Sequence, residues 1–396
     1  MWSFILFGWT VLQVLAGYNL VLPLVLFVLY KCIPRKPLSL QPGSDPDYAI
    51  IVTAYEQTDS IPSVVASILQ SSYTRYLVYV VADKCDTSGL SFSDERVVLL
   101  RPEKTLASNT RSHFYAIRHF RRLHTHLTII DSDNIVTPDY LSELNRYFKA
   151  GFSAVQGERK AKNLDTTYAC LDAARDIYYH FYDGKLLFGI GSSATLAGSG
   201  MAFTVALYRE CLEALDVSGA GFDKVLQKEI ISRGYRIAFN ELAIVYDEKT
   251  SRADQLVKQR ARWINTWFRY FSFGFGLLSR SLTKANWNQF AFSVILLRPP
   301  LFLFLLASIA CFTVNLLLGD VAAVMLWMAA FLCFILAFAI ALVQSGTDRR
   351  IYRSLWNIPV FVFYQVLSLA KVRQANRYSV ATQHYHKDQG EASGPK

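Results

Sequence analysis

Cysteine is scarce, and no two of the six cysteines form a CxxC pair. Cys32, Cys85, Cys170, Cys211, Cys311 and Cys333 lie far apart, and two of them fall inside apolar runs. A disulfide framework and a zinc site of ordinary spacing are thereby excluded. A reducing compartment fits, and all six are expected as small buried hydrophobes. Acidic residues are also in the minority, 31 Asp and Glu against 41 Lys and Arg, for a formal net charge of +10. Such a surplus suits anionic lipid headgroups, a phosphate-rich substrate or nucleic acid. No basic stripe interleaved with aromatics occurs in a plainly soluble segment, and the basic residues adjoin long apolar runs instead. The expectation is membrane lipids and a phosphate-bearing substrate, with no nucleic acid. Missing as well is a basic segment ahead of the first apolar run, Trp2 to Tyr30. That run is too long for a cleavable signal peptide and exceeds the roughly 20 residues a membrane span needs, so it is expected as a permanent anchor.

What is present is unevenly placed. Over 396 residues the hydrophobic fraction is 52 %, concentrated at the two ends, while the middle carries most of the Asp, Glu, Asn and Gln. This implies a polar domain held between membrane segments. Residues 1–30 form the anchor; Lys31, Arg35 and Lys36 follow it and should stay in the cytoplasm, with the N-terminus outside. Residues 31–48, with prolines, Ser and Gly, read as a linker. Residues 49–250 alternate short β-branched runs with stretches of helical spacing. Ala49 to Ala54, Leu77 to Ala82, Val97 to Leu100 and Leu127 to Ile130 read as strands, with helices over Ser60 to Gln70 and Ala107 to Phe120. The alternation predicts an α/β domain with a parallel sheet and functional loops at the carboxyl ends of its strands. Residues 251–290 mix Arg and Lys with Trp, Phe and Tyr, too polar to span, and predict amphipathic interfacial helices. Residues 291–371 contain two long apolar runs, Pro299 to Leu318 and Val321 to Val343, joined by a short turn as a membrane hairpin. Arg349, Arg350 and Arg353 come next and should again be cytoplasmic. Leu355 to Ala370 is short for a span, and a crossing would put Lys371, Arg373 and Arg377 outside, so a re-entrant or in-plane helix is expected. Residues 372–396 are a polar tail, expected to be disordered from Thr382 on. The whole reads as a multi-pass protein of the plasma (cytoplasmic) membrane with its α/β domain in the cytoplasm.

Four groups of residues can carry chemistry. Asp83 ends the strand LVYVVA, and Asp131 and Asp133 follow the strand LTII in IIDSDN. Two carboxylates on one exposed turn suit a hard divalent cation shared with phosphate oxygens; the competing reading is turn formation and helix capping. Asp83, on a neighbouring strand, would face the same crevice and accept hydrogen bonds from a base or ribose, or serve its loop in the same bland way. Asp223 begins a helix-like stretch that ends at Gly234, where it is either a general base or a cap. Gln259 and Arg262 stand three residues apart on one helical face beside Trp263, able to hold a diphosphate leaving group or merely to lie at headgroup depth.

In this order the motifs resemble the membrane-bound family 2 glycosyltransferases: cellulose, chitin, hyaluronan and poly-N-acetylglucosamine synthases, and ceramide glucosyltransferase. The likeness runs from about Ile50 to Phe268. VTAYEQTDSIPSVVASIL resembles the family's first strand and nucleotide-binding loop. AGSGMAF, with Gly198, Ser199 and Gly200, resembles its sugar- and acceptor-side loop. Asp223 to Gly234 has the spacing of its catalytic Asp before a Gly-aromatic-Arg, and QxxRW is matched in full. The resemblance implies a GT-A (Rossmann-like) fold and an inverting transfer from a nucleotide-sugar, most simply a UDP-sugar, with Mg2+ or Mn2+. It implies Tyr55, Glu56 and Asp83 at the nucleoside, Asp131 and Asp133 at the diphosphate, and Asp133 at the metal. Asp223 would be the base, and Gln259, Arg262 and Trp263 would line the acceptor and diphosphate end. One departure is Phe222, where many relatives have Glu; Asp247 and Glu248 are the nearest other carboxylates to serve as base. For the acceptor, the QxxRW match favours a growing β-linked polysaccharide, whose export would need a partner protein given so few spans; the alternative is a lipid that receives one sugar.

Overall fold

Four parallel strands carry the first half of the α/β domain in the computed structural model, which describes residues 2–34, 37–42 and 45–372. Arg35, Lys36, Arg373, Arg377 and the tail from Thr382 lie outside the described residues. Strands β1 (Tyr48–Tyr55), β2 (Tyr76–Asp83), β3 (Val97–Leu100) and β4 (His126–Asp131) match the runs read from the sequence to within a residue or two. Helices α2 (Ile61–Leu69) and α3 (Asn109–Arg118) cross between them. Ser108 caps α3 by accepting from the Arg111 amide, which satisfies one of the orphan donors at that helix end.

The second half departs from the expected parallel sheet. After β5 (Ile135–Val136) and α4 (Tyr140–Lys149) come β6 (Ala154–Ala161), β7 (Met201–Thr204) and β8 (Ile237–Asp247). The strand order is β3-β2-β1-β4-β7-β6-β8-β5. Strand β7 runs antiparallel to both β4 and β6, while β6 and β8 are parallel. The sheet is mixed because β7 enters from the end opposite to its neighbours β4 and β6. A bulge at Gly157–Glu158 shifts the β6 register, and a Cβ at Gly157 would stand 2.4 Å from the Ala243 carbonyl oxygen.

Between β6 and β7 runs α5 (Thr167–Tyr179), which widens into a π-helical segment, His180–Leu186, and ends in the single turn α6 (Leu187–Gly189). Helices α7 (Val205–Leu212) and α8 (Phe222–Ser232) pack on the same face of the sheet. The chain then leaves through α9 (Ala253–Tyr270), α10 (Phe273–Lys284) and the short apolar α11 (Trp287–Leu297).

Among the described residues, three helices are long and apolar enough to cross a membrane: α1 (Trp2–Cys32), α12 (Leu301–Leu318) and α13 (Val321–Gln344). They pack on one another around Ala16, Leu20, Phe304, Cys311 and Trp327. Gln13 Oε1 accepts from Asn315 Nδ2 at 2.6 Å and from Trp327 Nε1 at 2.9 Å, linking all three helices through one amide. The bundle is joined to the domain by a shared core in which Leu26, Tyr30, Ala337 and Ala341 meet sheet residues such as Leu127 and Phe203. Tyr182 of the π segment also donates to the Ala337 carbonyl at 2.7 Å. After α14 (Arg349–Ser354), the last helix α15 (Ile358–Leu369) has 12 residues. At a rise of about 1.5 Å per residue it is far shorter than a hydrocarbon core of about 30 Å. It lies along α9, with Phe361 packed on Leu171 and Leu256. All six cysteines are free; Cys170, Cys211 and Cys311 are buried, but Cys32 is exposed at the end of α1, against the expectation that all six would be buried.

Candidate active site

The parallel register brings three predicted residues to one edge. Tyr55 pairs with Asp83 across β1 and β2, and Thr53 pairs with Asp131 across β1 and β4, so Tyr55, Asp83 and Asp131 close the carboxyl ends of three adjacent strands. A ligand crevice is expected there in an α/β sheet.

Asp83 is placed differently from the simple expectation. It is 2 % exposed, and its carboxylate oxygens accept from the Leu106 amide at 2.9 Å and the Ala107 amide at 2.7 Å. Both oxygens thus tie the loop before α3 to the end of β2, and Ala107 takes a left-handed φ of 46° in that turn. Glu56 is exposed and pairs with Lys84 at 2.7 Å, which holds its carboxyl below the usual carboxylate range. The Lys84 ammonium also lies 5.9 Å from the Tyr55 ring centroid. Lys84 was not singled out in the sequence; its place directly after Asp83 is the only signal it gave.

The loop carrying Gly198, Ser199 and Gly200 is latched to the DxD turn. Ser199, fully buried, accepts from the Asp131 amide at 3.0 Å and from Asn134 Nδ2 at 2.7 Å. Gln156 holds the same loop from beneath, accepting from the Ala197 amide and donating to the Ser199 carbonyl. Gly200 has φ +67°, and a Cβ there would stand 2.8 Å from Val245 Cγ2, so glycine is required on both grounds. Asp131 and Asp133 are half-buried on the turn itself.

The helix that carries Asp223 reaches this loop through Lys224 and Gln227. Asp223 lies in the first turn of α8, 15 % exposed at its side chain, with Lys224 Nζ at 3.1 Å. Lys224 donates to the Leu196 carbonyl, and Gln227 accepts from the Leu196 amide. The N-cap is Gly221 at φ +99°, without a side-chain capping bond. A Cβ there would meet Tyr270 at 2.6 Å and Thr266 at 2.7 Å, so α8 starts hard against α9. Phe222, at the position where Glu was absent, is buried edge-on to the His113 ring and seats the helix. One turn back along α9, the Arg262 carbonyl accepts from Thr266 Oγ1, and burial pulls the Arg262 guanidinium below its usual range. Gln259 Oε1 accepts from Thr250 at 2.9 Å. The structure therefore joins the Asp131 turn to the Gly198–Gly200 loop through Ser199 and joins that loop to the start of α8 through Lys224 and Gln227, with Tyr55, Glu56 and Asp83 along the adjoining strand ends.

A buried chain of charges runs behind the site, assembled from elements far apart in the sequence. Arg159 on β6 pairs with Asp247 and donates to the Ala197 carbonyl at 2.6 Å. Burial works against its charge, but Asp247, Asp176 and Asp131 outweigh it and hold the guanidinium above its usual range. Lys249 bridges Asp247 at 2.6 Å to Asp176 on α5. Arg175 joins Asp176 to Asp172 at 3.7 Å, and Asp172 pairs with Arg260 of α9. Asp247 is 4 % exposed and occupied by two cations, which removes it as an alternative base. Sequence reading missed this chain, although three charges at 172, 175 and 176 in an otherwise apolar helix were a usable signal.

The family model described as "Glycosyltransferase like family 2" matches residues 46–266, more than half of the chain and every motif residue named above. No curated protein matches the chain. Among solved structures, the mannosyltransferase PcManGT from Pyrobaculum calidifontis, in complex with GDP-Man and Mn2+, superposes with a TM-score of 0.54 at 14 % identity. The match covers 92 % of this chain and 99 % of that one. At that identity the likeness concerns the fold alone, which is GT-A: a Rossmann-like mixed sheet with flanking helices. Residues 1–349 of S. aureus TarS, in complex with UDP-GlcNAc, align with a TM-score of 0.41 at 13 % identity over 83 % of this chain and 90 % of that one. That score is too low to carry weight.

Proposed function

The chain belongs to the family 2-like glycosyltransferases, and on that premise we propose that it is an inverting enzyme that moves a sugar from a nucleoside diphosphate to an acceptor at the cytoplasmic face of a membrane. The observation that carries this reading is the latch at Ser199, which sets the Asp131–Asp133 turn and the loop under Asp223 in one fixed relation.

Tyr55 and Glu56 line the nucleoside end, and Asp83 maintains that end by holding the Leu106–Ala107 turn. No group of three or more His, Cys, Asp or Glu side chains suited to a metal occurs among the described residues. Two carboxylates on one turn nevertheless fit a hard cation such as Mg2+ or Mn2+, whose remaining oxygens would come from the diphosphate and water. Asp131 and Asp133 would hold it, and when bound it offsets charge on the diphosphate. Asp223 accepts the proton of the acceptor hydroxyl as that oxygen bonds to the anomeric carbon. The bond from that carbon to the diphosphate breaks, and Arg262 contacts the departing group. The backbone of Gly198, Ser199 and Gly200 faces the sugar and acceptor, and Gln259 and Trp263 border them. A UDP-sugar is the first donor to test and a GDP-sugar the second, since the similar mannosyltransferase was solved with GDP-Man.

For the acceptor, the three-helix bundle is informative. Its centre is filled by Leu20, Phe304, Trp327 and the Gln13–Asn315 pair, which favours a lipid that receives one sugar over a polymer passed through these helices. The polymer reading keeps the QxxRW match in its favour and would then call for an export partner. Incubating the purified protein with labelled donor and a membrane lipid extract separates the two. A single labelled sugar of inverted anomeric configuration on a lipid supports the first, a ladder of lengths the second, and retained configuration overturns inversion.

A further inference from the structure

Trp263, the last residue of QxxRW, does not sit in an apolar socket. The guanidinium carbons of Arg175 and Arg260 both lie over its ring, each 4.1 Å from the centroid. Two cations over one indole attract the ring but repel each other. Burial, and then the charge of Arg175, lower the Arg260 guanidinium to about 10. Asp172 on α5, 2 % exposed, is placed to serve both: it pairs with Arg260 of α9 and stands 3.7 Å from Arg175, whose closer partner is Asp176.

We propose that Asp172 is a positioning residue for glycosyl transfer, acting through Arg260 and Arg175 to set the Trp263 ring and the turn of α9 that carries Arg262. This deepens the functional reading above and rests on it. Helices α5 and α9 already share an apolar contact through Leu171, Leu256 and Phe361. Such a contact keeps two helices together without fixing the rotation of a ring, whereas planar guanidiniums bonded to a fixed carboxylate do fix it. The same helix continues the link inward. Asp176, one turn after Asp172, joins Lys249 and through it Asp247 and Arg159, whose guanidinium feels the charge of Asp131. The chain of ion pairs thus runs from the QxxRW helix to Arg159, which lies within electrostatic reach of Asp131. Arg260 Nε and Nη1 make no hydrogen bond among the described residues, so Asp172 is the acceptor there that orients this side chain.

A merely structural ion pair makes a different prediction. Replacing a buried pair by apolar residues of similar size is commonly tolerated by the fold. In the full-length protein, Asp172→Leu combined with Arg260→Leu is expected to keep the wild-type melting temperature in detergent. It should leave donor KM within about twofold and lower kcat on the order of a hundredfold, as misplacement of a reacting group does. Arg260→Lys keeps the charge and the pair but not the planar group, and should also lower kcat with the fold intact. Asp172→Glu, which keeps the carboxylate, should be the least impaired. Near-normal kcat per folded molecule in both the double variant and Arg260→Lys would overturn the positioning role. Absence of turnover in the wild type, with every donor tried, would instead overturn the functional reading beneath it.

Discussion

Replacing Asp223 by Asn separates a base from a helix-end carboxylate with nearly no change in volume. The structure bounds the stability cost. Asp223 is in the first turn of α8, whose N-cap is Gly221, and among the described residues its ion pair is to Lys224 at 3.1 Å. Loss of a negative charge from a helix N-terminus costs about 0.3–1 kcal/mol. Lys224 keeps its bond to the Leu196 carbonyl, so the loop it holds stays in place. Loss of a general base costs about 10²–10⁴ in rate, or roughly 3–5 kcal/mol in the barrier. The two effects differ by enough to be told apart on one preparation. Nucleotide-sugar affinity, melting temperature and transfer rate would be measured on purified Asp223→Asn. Unchanged affinity, a small shift in melting and transfer down at least about a hundredfold are expected. Transfer near normal would refute the base assignment and leave Glu248 as the next candidate, because Asp247 is locked between Arg159 and Lys249.

Asp133→Asn should insert and fold but lose turnover, with Asp131→Asn acting more on donor affinity; an active Asp133→Asn with an unchanged metal requirement would contradict the metal role. Burial raises the Glu158 carboxyl from 4.5 to about 7. Its folded pKa therefore exceeds its unfolded one, and the stability it contributes is full below pH 4.5 and is lost as pH rises through about 7. Melting temperature should fall across that window, by at most about 1.4 kcal/mol of stability per pH unit, and Glu158→Gln should flatten the fall; equal slopes in both proteins would show that Glu158 is not responsible. For topology, a cysteine at exposed Leu318 should label from outside intact cells and one at Tyr352 should not, in a background without the exposed Cys32. Gly319 is the poorer site for such a probe because its φ is +70°. The reverse labelling pattern would place the catalytic domain outside.

The first half of the domain was legible because β1 to β4 are buried β-branched runs bounded by turns, and their carboxyl ends carry the acidic motifs within a residue of where the chain shows them. The second half was not. Strand β6, AVQGERKA, reads as a polar segment, since it bulges at Gly157 and turns Arg159 inward to Asp247. The antiparallel course of β7 is recorded by no periodicity. The π segment His180–Leu186 has no distinct pattern in sequence. Asp172, Arg175 and Asp176 stood out only as charges in an apolar helix, and their partners Lys249, Asp247, Arg159 and Arg260 come from three other parts of the chain. Removing one member of such a buried pair typically costs about 3–5 kcal/mol, so this network is a substantial structural commitment that sequence reading passed over.

The central claim is tested most directly by release of nucleoside diphosphate from the purified full-length protein, using UDP- and GDP-sugars with and without Mg2+ or Mn2+. One donor is expected to be turned over only with the metal, and turnover should be lost when Asp131 and Asp133 are both replaced by Asn. Turnover of no donor, or turnover that survives that double replacement, would contradict it.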